Sequence, residues 1–226
     1  MTELIITAFN IQEHRIARNR LGRHVAHDPR SWRYPASMAC EVRDVMYKRL
    51  VPVFNQGALG SCTGNAAAGC MSTLPFKHRC KERDAVEIYE LATQLDTIAG
   101  TYPPDDTGSS GLGAMKALKK KGWIRAYTHT FCLDHTLRAL VLGPGITGFS
   151  WRTGCDKPDS SGVVRYCGQI RGGHEVQLIG INAERKLVWF VNSWGSTWGK
   201  KGRFAMSFDD YAKALEDHGD ATFPEP

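Results

Sequence analysis

The sequence predicts an α+β protein of two lobes, because the two halves of the chain differ in how their apolar residues are spaced. The first half spaces them at helical intervals, and the second half carries short runs rich in Val, Ile and aromatic residues. Helices and strands that are segregated along a chain are typical of α+β architecture. The length of 226 residues allows one large domain or two small lobes with a sizeable core.

Three helices are predicted in the first half. The first is rich in small residues, which suits a buried helix, and Ser61 or Thr63 can cap its start while Pro75 follows its end. The second carries an apolar stripe, and the third is stopped by Gly122. A loop rich in Gly, Pro, Asp and Ser separates the second from the third. The predicted ranges are 63–72, 84–95 and 112–121, with the loop over 99–110.

Short strands dominate the predicted second half. They are bounded by glycines and polar turns, and the turn at 182–185 predicts a hairpin. A short helix over 135–142 precedes most of them. The predicted strands are 146–151, 162–170, 175–182, 187–192 and 202–208.

The N-terminal region is predicted to be an arm that wraps the body. It is basic, and Pro29 and Pro35 favour extended segments over long helices. A disordered tail over 1–20 is the alternative. The predicted organisation is an arm over 1–50, a helical lobe over 51–125 and a β lobe over 126–226.

Composition limits the partners that we expect. Apolar residues make up 42% and charged residues 23%, as in ordinary globular proteins, and the net charge is +6. The one tight basic run, Lys119 to Lys121, is typical of a solvated helix end rather than of a nucleic-acid site. We expect no nucleic acid, membrane, metal or cofactor. The oligomeric state is left open.

Seven cysteines are present, so at least one thiol is unpaired within a single chain. Their spacing contains no CxxC and no zinc pattern. The apolar start at Leu4 to Ile6 is too short for a signal-peptide core. We therefore expect reduced thiols and a location that is cytoplasmic, or outside the cell by release without a signal peptide.

Four residues in Gly- or Ser-flanked runs carry candidate chemistry. Cys62 opens the first predicted helix, where the positive end of the helix dipole favours a thiolate. His174 follows two glycines at a predicted strand start, and Asn192 ends the strand over 187–192, where its amide can orient an imidazole. Gln56 precedes the cysteine by six positions. Each residue alone is more often structural, whereas together they provide nucleophile, base, orienting group and oxyanion donor.

The three runs together resemble the papain-like cysteine peptidases. The spacing of Gln56 and Cys62, the Gly-Gly-His-x-Val run and the Asn-Ser-Trp-Gly-x-x-Trp-Gly run carry the resemblance, which spans roughly residues 50–208. It implies a papain-like two-lobed fold, a helical lobe plus a β-barrel-like lobe, with the cleft between them.

The same resemblance implies a role for each matching residue. Cys62 is the nucleophile, His174 the general base and acid, Asn192 the residue that orients the histidine, and Gln56 the oxyanion donor. A resting thiolate–imidazolium pair and hydrolysis through a thioester are also implied, with a peptide or protein as the substrate. Trp194 matches the indole that shields the histidine, Gly111 the glycine that pairs with substrate, and Gly173 offers its carbonyl. The implied substrate-binding residues are Gly60, Ser61, Ser110, Gly111, Gly173 and Trp194.

The chain departs from the secreted members of this family at three positions. Leu59 and Thr63 stand where those members have a cysteine and a tryptophan, so we expect the loop before Cys62 to be held by packing of Leu59 instead of a disulfide. Glu175 follows the histidine in place of an alanine. An acid there can raise the histidine pKa, although strand alternation favours a side chain that points away.

Two other functions stay open at this stage. The same chemistry can act on cell-wall peptides or isopeptide bonds, and a catalytically degenerate fold can serve for binding. Insertion of the N-terminal arm into the cleft is a further hypothesis. The pair Asp105-Asp106 favours basic substrates if it lies near the cleft, and is otherwise a solvated turn.

Overall fold

The structure, a computed structural model, describes residues 20–26 and 40–226. Five α-helices, one short 3-10 helix (Thr153–Cys155) and one antiparallel sheet of seven strands account for the regular structure of these residues. The extended segments predicted around Pro29 and Pro35 lie outside the described residues. The helices are α1 (Cys62–Met71), α2 (Glu82–Leu95), α3 (Gly111–Lys120), α4 (Leu133–Leu142) and α5 (Phe208–Glu216). The strands are β1 (Val45–Met46), β2 (Ala126–Thr130), β3 (Gly145–Arg152), β4 (Ile170–Asn182), β5 (Leu187–Val191), β6 (Arg203–Ser207) and β7 (Asp220–Glu225).

The predicted α+β architecture is confirmed, with α1 to α3 in the first half and most of the sheet in the second. The main path of the sheet runs β2-β7-β3-β4-β5-β6, and β1 pairs with β4. β4 is the longest strand and lies between β3 and β5, so it connects the two sides of the sheet. Its central position makes it a rigid platform for any side chain that it carries.

Helix α1 is buried along all of its ten residues. Its small residues permit this, because a Cβ at Gly64 would overlap the carbonyl oxygen of Ala85 on α2. Helix α3 ends as predicted near Gly122, whose φ of +69° is left-handed. The amide of Gly122 donates to Lys119 and that of Trp123 to Leu118, which is the Schellman arrangement.

Two separate hydrophobic clusters underlie the helices and the sheet. The cluster under the helices includes Ala67, Met71, Ile88, Met115 and Leu118. The cluster under the sheet is aromatic and includes Phe149, Trp151, Phe190, Phe204 and Tyr211. The lobe boundaries at residues 50 and 125 stay predictions.

Two predictions of local structure are wrong, and one helix was not predicted. Residues 162–169 form a loop with one bridge, Val163 to Ala205, because Val164 and Tyr166 use their apolar surface in the core rather than in a strand. β4 begins at Ile170, so His174 lies inside a strand and not at its start. Helix α5 follows directly on β6, with Ser207 Oγ accepting from the amide of Asp210.

All seven cysteines lie within the described ranges, and each is free of a disulfide. None of the helices in those ranges is long and apolar enough to cross a membrane.

Candidate active site

His174 and Asn192 form a buried hydrogen bond on neighbouring strands of the sheet. The imidazole Nε2–H of His174 donates to Oδ1 of Asn192 at 2.8 Å, and neither side chain is more than slightly exposed. Trp194 stacks on the imidazole with ring centroids 4.8 Å apart. Trp151 meets the same ring edge-on at 5.0 Å. A proton fixed on Nε2 leaves Nδ1 as the basic nitrogen of the neutral ring.

Cys62 is the first residue of α1, the helix that packs against β4, the strand that carries His174. The backbone of Glu175, the next residue along β4, is close enough to the thiol to influence its pKa, as are the backbones of Gly22 and Thr63. Nδ1 of His174 has no hydrogen-bond partner among the residues that the structure describes. The packing of α1 on β4 therefore brings the Cys62 thiol and the His174 imidazole to the same region of the structure, although they are 112 residues apart in sequence.

Both groups are fully buried, and burial controls their ionisation. Burial raises the pKa of the Cys62 thiol to about 12, although the backbone of Glu175 opposes this. Burial also lowers the pKa of His174 to about 4, against the bond to Asn192. In this covered arrangement a neutral thiol and a neutral imidazole are favoured, and not the ion pair that the resemblance implies.

Gln56 is held between the loop before α1 and the loop after β5. The backbone amide of Gln56 donates to the carbonyl oxygen of Ser193 at 2.9 Å. The Ser193 hydroxyl in turn donates to Oε1 of the Gln56 side chain. Its Nε2 donates to the carbonyl oxygen of Leu59 at 2.8 Å. The same Nε2 donates to the carbonyl oxygen of Arg20 at 3.1 Å.

Residues 20–26, called the cleft segment below, lie extended over these groups. The amide of Arg23 donates to the carbonyl of Gly173 at 3.0 Å, next to His174. On the other side, the amide of Ser109 donates to Gly22 and the amide of His24 donates to Ser109, at 2.8 and 2.7 Å. The segment is thus bonded to β4 on one side and to the loop before α3 on the other. This explains why Cys62 and His174 are inaccessible.

Comparisons with known proteins identify what the sequence and the fold are similar to. The papain family cysteine protease model matches residues 153–218, which include His174 and Asn192. The crystal structure of xylellain, a cysteine protease from Xylella fastidiosa, superposes with a TM-score of 0.70 at 18% identity, over 91% of this chain and 95% of that one. The fold of the described residues is therefore papain-like.

Relatives identified by sequence include two cathepsins, both at low identity. The viral cathepsin of Adoxophyes honmai nucleopolyhedrovirus is 25% identical over 181 residues, which is 70% of this chain and 54% of that protein. Cathepsin L 2 of Paramecium tetraurelia is 26% identical over 185 residues, 70% of this chain and 56% of that protein. The chain therefore spans little more than half the length of these relatives.

The structure brings most of the residues implied by the papain-like resemblance to one cleft. Gly173 bonds to the cleft segment, and the backbone amide of Gly60 is bound by the Asp106 carboxylate at 3.0 and 3.1 Å. Ser61 is the cap position of α1, but its hydroxyl meets Asn65 rather than a backbone amide.

Gly111 and Ser110 are placed differently from what the resemblance implies. Gly111 is the first residue of α3, and Ser110 caps that helix through the amide of Gly113 at 3.1 Å. The backbone that pairs with the cleft segment is that of Ser109. Ser109 lies two residues before Gly111 in the same loop, and a role of Gly111 and Ser110 in substrate binding stays a prediction.

Leu59 is only partly buried, so the expected packing does not hold the loop before Cys62. Hydrogen bonds hold the loop instead. Nε2 of Gln56 donates to the carbonyl oxygen of Leu59, and the Asp106 carboxylate accepts from the Gly60 amide. The same carboxylate accepts from the Tyr89 hydroxyl at 2.7 Å. Asp106 lies at the cleft and forms an ion pair with Arg20 at 3.0 Å. Of the acidic pair, Asp106 therefore lies at the cleft, whereas Asp105 is exposed.

Glu175 points away from the His174 imidazole, as strand alternation favours, and its carboxylate lies in a separate buried pocket with Asp220 and Arg23. Asp220 and Ser193 were not singled out from the sequence. Ser193 belongs to the Asn-Ser-Trp-Gly run and was within reach of that motif. Asp220 had no local signal, because its partners are distant in sequence.

Proposed function

We propose that this chain is a cysteine peptidase that hydrolyses peptide bonds through a thioester intermediate. The observation that carries the proposal is the His174–Asn192 hydrogen bond beneath Trp194, with Cys62 beside it at the start of α1. The bond fixes the imidazole tautomer that has a free Nδ1, which is the nitrogen needed to accept a thiol proton.

The proposed reaction uses Cys62 and His174 in two steps. His174 takes the thiol proton, and the Cys62 sulfur attacks the peptide carbonyl carbon to form a tetrahedral oxyanion. The C–N bond then breaks, and His174 gives the proton to the leaving amine. Water, deprotonated by His174, attacks the thioester, the C–S bond breaks and the thiol is regained.

Gln56 is the proposed donor to the oxyanion. Its Nε2 already holds a carbonyl oxygen, that of Arg20, over the start of α1. A donor fixed by Ser193 and Leu59 needs no reorganisation when the charge develops. An extended stretch of ordinary peptide in the cleft also favours a linear peptide substrate over a cross-linked wall or isopeptide substrate.

The test uses full-length protein that carries Gly22→Ala, a change intended to open the cleft. A Cβ at Gly22 would overlap the carbonyl oxygen of Gly60, so the cleft segment cannot lie in place. In this background, Cys62→Ala and His174→Ala are each expected to abolish cleavage of a peptide library. Cys132→Ala, which removes an exposed thiol, is the matched control and should retain activity.

A covalent label provides the second readout. A papain-type epoxide inhibitor should modify Cys62, identified by peptide mass mapping, with Cys132 and Cys167 as accessible thiols in the same sample. Cleavage that persists in folded Cys62→Ala protein refutes the assignment. Absence of both cleavage and Cys62 labelling in the opened protein refutes it as well.

A further inference from the structure

Asp156, in the loop after β3, anchors two indoles of the aromatic cluster around the His174 imidazole. Nε1 of Trp151 donates to Oδ1 of Asp156 at 2.9 Å, and Nε1 of Trp198 donates to the carbonyl oxygen of Asp156 at 3.0 Å. Trp151 is fully buried and meets the imidazole edge-on at 5.0 Å between ring centroids. Trp198 contacts Trp194, the indole that stacks on the imidazole, at 5.1 Å. The aromatic surroundings of the histidine therefore depend on this one aspartate.

Arg171 reaches the same carboxylate through a bulge in β4. The register with β3 passes from Ile170 to Gly172 and skips Arg171, which is therefore an extra residue in the strand. In a regular strand, residues three apart point to opposite faces, so Arg171 would point away from the side of His174. A bulge re-aims a side chain. The Arg171 guanidinium accordingly forms an ion pair with Oδ1 of Asp156, the oxygen that also accepts from the buried indole.

The ion pair acts on the histidine more than on stability. Arg171 is 28% and Asp156 37% exposed, and ion pairs at such exposure contribute little to the free energy of unfolding. Burial lowers the pKa of His174 to about 4, and the charge of Arg171 acts in the same direction. Asp156 places an opposite charge beside the guanidinium and offsets part of its field.

The other elements packed around His174 present little further charge to it. Helix α1 presents the Cys62 thiol, which burial keeps neutral by raising its pKa to about 12. The Glu175 carboxylate points away from the imidazole, into the pocket with Asp220 and the Arg23 guanidinium of the cleft segment. The loop after β5 presents an amide and an indole, which carry no charge.

We propose that Asp156 and Arg171 are positioning residues for His174: Asp156 holds Trp151 against the edge of the imidazole, and the two opposite charges set the field in which the imidazole takes up and releases its proton. The inference rests on the proposed function, in which His174 accepts a proton from the thiol and later gives it to the leaving amine. A lone Arg171 would oppose the imidazolium, and a lone Asp156 would favour it. The pair together exerts a smaller net field than either charge alone.

An NMR titration of His174 tests the field without requiring activity. The full-length protein carries Gly22→Ala to open the cleft and Cys62→Ala so that no thiol titrates together with the imidazole. Asp156→Asn should lower the His174 pKa and Arg171→Gln should raise it, each by about half a pH unit, as expected for one charge several ångströms away in a partly exposed setting. The double variant should titrate close to the parent. An unchanged pKa, or shifts in the same direction, overturns the field.

Matched controls remove the same charges from an exposed ion pair on α4. Asp134→Asn and Arg138→Gln should leave the titration of His174 unchanged. Circular dichroism of each variant confirms that it is folded. Shifts as large as those of the Asp156 and Arg171 variants would show an effect of net charge alone and would overturn the assignment to this pair.

Kinetics in the Gly22→Ala protein test the positioning of Trp151. An asparagine at position 156 retains an oxygen that can accept from the indole N–H, whereas an alanine does not. With a fluorogenic peptide at the pH optimum, kcat should fall about fivefold in Asp156→Ala and stay within about twofold in Asp156→Asn, the difference expected for one hydrogen bond. KM should change little in either variant. Equal kcat values for the two variants overturn positioning through the indole.

The two readouts separate failure of this inference from failure of the proposed function. Absence of cleavage by the Gly22→Ala protein, with opposite shifts of the His174 pKa, overturns the peptidase and leaves the charge pair standing. Cleavage by the same protein without opposite shifts overturns the charge pair and leaves the peptidase standing.

Discussion

The carbonyl oxygen of Arg20 accepts a hydrogen bond of 3.1 Å from Nε2 of Gln56, the side chain proposed to stabilise the oxyanion. The cleft segment thus uses the donor that a substrate carbonyl requires. It also lies over Cys62 and bonds to Gly173. We therefore expect the segment to inhibit the proposed peptidase in cis.

Gly22→Ala should raise activity on a small peptide. The methyl group would overlap Gly60 O, and such overpacking typically costs about 1–3 kcal/mol, so we expect kcat/KM to rise about tenfold. The measurement is the initial rate with a fluorogenic peptide. Gly143→Ala is the matched control, because a Cβ there meets no atom within 4 Å. Equal rates for both variants and the parent chain would contradict inhibition by the segment.

Arg23→Ala should release the segment more effectively than Arg20→Ala. Removal of one partner of a buried ion pair typically costs about 3–5 kcal/mol, because the remaining carboxylates stay buried and unpaired. Arg20 is 48% exposed, and such surface pairs contribute about 0–1 kcal/mol. Peptidase activity of the two full-length variants gives the order directly. The reverse order would show that Asp106, and not the buried pocket, holds the segment.

Cys62 should react slowly with iodoacetamide in the parent chain at neutral pH. Its thiol pKa is raised to about 12 by burial, so the thiolate fraction is small and increases about tenfold per pH unit between pH 8 and 10. In Gly22→Ala protein, water reaches the site, burial no longer raises the pKa to that extent, and the labelling rate should level off at lower pH. Mass mapping follows Cys62 against Cys132. Identical pH profiles in the two proteins would show that the segment does not control ionisation.

Gln56→Ala should lower kcat about a hundredfold in the opened protein. Loss of one oxyanion donor typically costs about 2.7–4 kcal/mol in the transition state. The substrate KM should change little, because the interaction forms mainly in the transition state. Gln94→Ala, at an exposed position of α2, is the control. A change confined to KM would assign Gln56 to substrate binding instead.

Local patterns were sufficient for some elements and not for others. α1 to α3 were predicted within two residues at their starts, because small residues, an apolar stripe and Gly122 act within one helix. β2 and β7 were missed, since β7 contains Pro224 and depends on pairing between residues about a hundred positions apart. α5 was also missed, although Ser207 and the two aspartates at its start give a capping signal.

The sequence by itself determined the α+β class and the four candidate residues Gln56, Cys62, His174 and Asn192, because each lies in a short run with its own chemistry. Only the tertiary structure decided that the cleft segment lies across them and that Glu175 and Asp220 share a pocket filled by Arg23. The physical reason is that burial and charge pairing depend on distances in space. Those distances join residues 23, 175 and 220, and local sequence patterns carry no information about them.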